Sequence, residues 1–170
     1  MTPTNGADHL KGTGGNDFID GLGGDDTIYG FEGNDWLEGN GGDDSLFGGD
    51  GDDTLIGGSG IDTLNGDAGN DYLILEDDGG IASGGDGFDP LKGSGANDSL
   101  FGGGNHDTLW GSTGNDLLSG GDGNDYLDGG SGQDNVDGGS GTDTIIGSFG
   151  EDTIDGGAGL DALDYSGIDG

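Results

Sequence analysis

The chain contains no cysteine, two prolines and only two basic residues, Lys11 and Lys92, among 170 residues. Without cysteine there is neither disulfide stapling nor thiolate chemistry to build on. Two lysines against 36 acidic residues leave a formal net charge of −34. That balance excludes nucleic acid as a partner, because binding phosphates needs clustered Lys and Arg. It excludes an anionic membrane surface for the same reason. Long apolar runs are missing too, so no membrane-spanning helix and no membrane insertion are expected. Residues 1–6 carry neither a basic region nor an apolar stretch, so no signal peptide is expected there. Hydrophobic residues make up 27% of the chain. With so high a charge, composition alone would place it among disordered chains. Its regular pattern argues the other way.

What abounds is glycine, 48 residues of it, with aspartate in step. Residues 120–128 read Gly-Gly-Asp-Gly-Asn-Asp-Tyr-Leu-Asp. The pattern is Gly-Gly-x-Gly-x-Asp-x-U-x, with U a large aliphatic residue, and it recurs every nine residues. Counted from Pro3, the frame holds without slippage to Asp164, giving 18 repeats between tails at 1–2 and 165–170. Position six is Asp in 17 of the 18, and position eight is Leu, Ile or Val in 17 of the 18, so chance is excluded. The array reads as one domain, and the absence of a period of three excludes collagen. Repeat one, residues 3–11, lacks the opening glycines and reads as a cap. Repeat nine, residues 75–83, has Gly80 where Asp is expected and Ala82 where a large aliphatic is expected. The frame survives across it, which marks a degenerate coil and not a linker.

Glycine permits positive φ and close backbone approach, so positions one to six read as a turn. Positions seven to nine read as a three-residue strand whose middle side chain alone points inward. No 3.6-residue period argues for a helix. The expected fold is all-β: a parallel β-roll, or β-solenoid, of about nine 18-residue coils with two nonapeptides per coil. One column buries Ile19, Leu37, Leu55, Leu73, Leu91, Leu109, Leu127, Ile145 and Leu163. The other buries Leu10, Ile28, Leu46, Leu64, Ala82, Leu100, Leu118, Val136 and Ile154. At a coil spacing of ~4.8 Å the rod is about 40 Å long. One buried aliphatic side chain per repeat falls short of the chain entropy that folding removes. Stacked carboxylates worsen the deficit by repulsion. A positive charge has to enter.

Oxygen donors without His or Cys select a hard cation, and calcium takes six to eight oxygens where magnesium keeps its water. The candidate metal ligands are Asp8, Asp17, Asp26, Asp35, Asp44, Asp53, Asp62, Asp71, Asp89, Asp98, Asp107, Asp116, Asp125, Asp134, Asp143, Asp152 and Asp161. One glycine-rich turn supplies half a shell of carbonyl and carboxylate oxygens, and the turn 18 residues later supplies the rest. Ions are therefore expected between pairs such as Asp17 and Asp35, or Asp107 and Asp125. Nine turns per column give eight interfaces, sixteen in all, and Gly80 removes those it would share with Asp62 and Asp98. About 14 Ca2+ remain, and their +28 set against −34 leaves about −6. Pro90 weakens the expectation at Asp89. Asp25, Asp43, Asp52, Asp128, Asp137, Asp155 and Asp164, at positions five and nine, are expected to form a solvated rim. Glu76, Asp77 and Asp78 are expected to form a solvated bulge.

These residues resemble the RTX (repeats-in-toxin, hemolysin-type calcium-binding) nonapeptide repeat family over 162 of 170 residues. Calcium binding in a parallel β-helix is a known property of this nonapeptide. The resemblance implies a right-handed β-roll that is secreted and extracellular, or held at the cell surface, and that folds on meeting calcium outside the cell. It further implies a structural and export-folding role within a larger protein handled by type I secretion machinery. Six residues after the last repeat hold no recognisable secretion signal, so the chain is expected to be a portion of that longer protein. No enzyme is expected: His9 and His106 are isolated, and no nucleophile stands beside a base. The alternative is surface recognition of a glycan, a partner domain or ice on the outer strand face. One column there offers Trp36, Ile56, Tyr72, Ile74, Trp110 and Tyr126. The other shows Thr27, Ser45 and Thr63, then Ile81, Ser99, Leu117, Asn135 and Thr153, interruptions that tell against an ice-binding threonine ladder.

Overall fold

The computed structural model describes residues 2–165, which form 19 strands and, among the described residues, no helix. Successive strands alternate between two sheets as far as β17, and every strand pairing among the described residues is parallel. One sheet stacks β1 (His9–Lys11), β3 (Thr27–Glu32), β5 (Ser45–Asp50), β7 (Asp62–Ala68), β9 (Gly80–Asp86), β11 (Asp98–Gly104), β13 (Leu117–Asp122), β15 (Asn135–Gly141) and β17 (Thr153–Asp155), with β18 (Ala158–Gly159) also on β15. The other stacks β2 (Phe18–Asp20), β4 (Trp36–Gly41), β6 (Thr54–Ser59), β8 (Tyr72–Ile74), β10 (Pro90–Lys92), β12 (Thr108–Trp110), β14 (Tyr126–Asp128), β16 (Thr144–Ile146) and β19 (Ala162–Asp164). Partners lie 18 residues apart, as in Leu10 with Ile28 and Leu91 with Leu109. Each coil is thus two nonapeptides, and the chain is a parallel β-solenoid of about nine turns, as its period implied.

The position-eight side chains of both sheets meet in one apolar column, from Leu10 through Leu127 to Ile145. The ends depart from expectation. Ile19 and Ile154 are only partly buried, and Leu163 is 49% exposed, because a terminal coil has a neighbour on one side alone. Leu75, at position one of the degenerate repeat, is buried although no pattern placed it in the core.

The expected three-residue strands occur in β8, β10, β12, β14 and β16, but most of the other sheet runs to six or seven residues. The turn backbone there keeps pairing after the side-chain pattern has ended, with Gly103 opposite Gly121 and Gly104 opposite Asp122. A positive φ at position two, 116° at Gly103 and 84° even at Phe31, recurs in most repeats and bends successive coils the same way, so that neighbours stay in register; Thr4, Thr13, Ser94 and Ser148 lack it. Pro90 removes one link. The position-seven N–H ordinarily reaches the carbonyl of the aspartate one coil earlier, as from Thr108 to Asp89 at 2.9 Å. Proline has no N–H to give. The ladder resumes at Leu91 opposite Leu73.

Candidate metal centre

Each turn delivers its position-six aspartate to the inside of the coil. From Asp26 to Asp143 these side chains are at most 3% exposed, Asp98 included. The two carboxylate oxygens have separate fates. Oδ1 accepts the backbone N–H of the position-six residue one coil earlier, as from Asp26 to Asp44 at 2.7 Å and from Asp107 to Asp125 at 2.8 Å. Oδ2 has no hydrogen-bond partner in Asp26, Asp35, Asp44, Asp53, Asp62, Asp71, Asp89, Asp107, Asp116, Asp125, Asp134 or Asp143. A buried anionic oxygen left bare is costly, so a run of twelve is suited to a cation.

Electrostatics agree. Loss of water raises the carboxyls of Asp44, Asp53, Asp62 and Asp89 to about 6, and those of Asp71, Asp107 and Asp116 to about 7. The N–H from the preceding coil opposes that rise in each case, and neighbouring carboxylates reinforce it. Position-one glycine makes the cradle. A Cβ on Gly111 would lie 2.5 Å from both Asp116 Oδ2 and the Gly129 carbonyl, so only glycine lets carboxylate and next-coil carbonyl converge. Among the described residues, no three His, Cys, Asp or Glu side chains gather at one point. The remaining oxygens of any shell would come from backbone carbonyls and water. Hard, partly anionic, carbonyl-rich and inter-coil, this donor set fits calcium.

Three aspartates behave differently. In Asp8, Asp17 and Asp98 the Oδ2 is taken by the N–H and hydroxyl of the repeat's own position-two residue, Thr4, Thr13 or Ser94. Asp152 and Asp161, in the last coil, are half-buried, and their Oδ1 atoms accept from Asp134 and Asp143. Asp89 sits in the ladder like its neighbours, with Oδ1 accepting from Asp71 at 2.8 Å, so Pro90 does not displace it.

The acidic rim is more than solvated. At position five, Asp25, Asp43 and Asp52 accept the position-five N–H of the next coil, from Asp43, Ile61 and Asn70. Asn16, Asn34 and Asn115 do the same, and His106 Nδ1 accepts from Asn124 at 2.7 Å. At position nine, Asp128, Asp137 and Asp155 accept the N–H two residues on. Glu76, Asp77 and Asp78 are exposed as expected, with Asp78 accepting from Gly60 at 3.2 Å.

The model of the RTX calcium-binding nonapeptide repeat, four copies long, matches residues 2–35, 29–64, 47–79, 83–118, 101–136 and 137–167. The chain belongs to this RTX family. Its matches break only at residues 80–82, inside the degenerate repeat. No curated protein matches the chain. The RTX array is thus a calcium-binding repeat module.

Proposed function

We propose that this RTX array is a calcium-driven folding module of an exported protein, with the position-six aspartates as ligands and about 14 inter-turn ions. The observation that carries this reading is the series of twelve buried Oδ2 atoms without a partner. Bound calcium supplies the positive charge that lets one coil close on the next. The chain supplies carboxylates, turn carbonyls and a pre-shaped glycine backbone. Because half of each shell comes from the neighbouring coil, binding and folding are one event. Low cytoplasmic calcium keeps such a chain extended for passage through type I secretion machinery, and extracellular calcium folds it on arrival. Circular dichroism during a calcium titration tests this. A coil spectrum in chelator should convert cooperatively to β by ~10 mM calcium. A coil spectrum that persists at that concentration overturns the reading.

The outer face of the β2–β19 sheet favours a second, recognition role. Trp36, Tyr72, Trp110 and Tyr126 stand there 36–43% exposed, and Trp36 is oriented by donating Nε1–H to Glu38 at 2.7 Å. Glycan-array binding by the calcium-loaded array is the test, and no binding above background removes this role.

A further inference from the structure

The degenerate repeat differs from its neighbours in three linked ways, and each replaces something the missing Asp would have provided. The first is volume. At position one of an intact repeat, a Cβ would collide with the repeat's own carboxylate, as at Gly111 and Gly93. With Gly80 at position six that carboxylate is absent, and position one becomes Leu75, fully buried within the apolar core. The second is an acceptor. The N–H of Asp62 would have bonded the carboxylate of residue 80, and it bonds the Gly79 carbonyl at 3.4 Å instead. The third lies one coil on. Asp98 Oδ2, which should be bare, takes the Ser94 N–H at 2.7 Å and the Ser94 hydroxyl at 3.1 Å.

Ser94 is not clamped merely because it is a serine. Ser112 occupies the same position one coil later, above an intact Asp98. There φ is 81°, and Asp116 Oδ2 stays without a partner. The other two clamped turns, Thr4 with Asp8 and Thr13 with Asp17, have no preceding coil in the structure. The clamp therefore appears where the preceding coil presents no position-six aspartate. We propose that the junction of repeat nine with the repeat one coil on is a metal-free joint, in which Leu75 and the Ser94 N–H and hydroxyl replace the ion that residue 80 would share with Asp98, while on the other side Asp62 Oδ2 stays without a partner. It follows that the roll holds itself together at this joint by contacts that calcium does not control. This rests on the calcium reading above.

Native mass spectrometry of the full chain at saturating calcium tests both and separates them. The wild type is compared with Leu75→Gly/Gly80→Asp/Ser94→Gly, which restores the repeat pattern at all three positions. The variant should carry at least one more calcium ion than the wild type. No calcium on either protein defeats the calcium reading itself. Calcium on both with no gain in the variant defeats the joint alone. Should the triple variant not fold, Ser94→Ala decides the matter: its ion count should equal the wild type's while its urea midpoint in calcium falls. Ser112→Ala, the control, should move that midpoint less. An extra ion on Ser94→Ala, or an unmoved midpoint, overturns the joint.

Discussion

At the residue scale, a position-six aspartate divides its labour between two oxygens, one for a backbone N–H and one for a cation. Asp107→Asn separates them. Asparagine keeps an acceptor for the Asp89 N–H and nearly the same shape, but it removes the charge and the bare Oδ2. With sites near ~10⁻⁴ M and calcium at ~1–10 mM, each ion contributes about 1.4–2.7 kcal/mol. Asp107 borders two inter-turn positions, so urea unfolding in calcium should show a loss of roughly that size for each. In chelator, where the chain is a coil, the same substitution should leave the circular dichroism spectrum unchanged. An unchanged urea midpoint in calcium would remove Asp107 from the ligand set. The period made these aspartates legible in the sequence, because seventeen repeats place them identically. Asp43 was not legible. It is the same residue type one position earlier, yet it faces the following coil, and its partner is a backbone N–H 18 residues away that no side-chain pattern reports. Ser94 was less legible still, because its role depends on the identity of residue 80.

At the scale of the element, each coil is a turn that stacks only if its backbone can pass close to the next. Glycine matters at position one and much less at position three. At Gly111 an added Cβ meets a carboxylate and a carbonyl, both at 2.5 Å, while at Gly41 it finds only the Ser59 hydroxyl, at 3.5 Å. Gly111→Ala should therefore lower calcium-loaded stability by about 1–3 kcal/mol, the usual range for overpacking. Gly41→Ala should be neutral, or stabilising by up to about 1 kcal/mol, through lower unfolded-state entropy. Paired urea melts in calcium check the contrast, and similar losses at both positions would contradict this account of the cradle. Strand parity and the two-column stack were readable from the nine-residue period, since position eight alone is reliably apolar. Strand length was not, because in β11 the turn glycines extend the ladder through backbone bonds that carry no side-chain signature.

At the scale of the whole molecule, the buried carboxylates form two columns that must be neutralised by calcium or by protons. Burial raises Asp71, Asp107 and Asp116 to about 7, and Asp44, Asp53, Asp62 and Asp89 to about 6, against an ordinary 3.8. Between roughly pH 4 and 7 the coiled state therefore binds more protons than the unfolded chain. Where the folded state holds the excess, stability falls as pH rises, and these groups oppose folding fully only above their folded values. Two consequences follow. In chelator, acidification from pH 7.5 to 5 should increase β content, as protons cap the bare Oδ2 atoms. At pH 5, calcium binding should then release protons, because each ion must displace them from its ligands, whereas at pH 7.5 it should release few. Circular dichroism in chelator at both pH values measures the first, and calorimetric calcium titrations in buffers of different ionisation heat measure the second. Calcium binding without proton release at pH 5 would mean that the ions do not bind at the buried carboxylates.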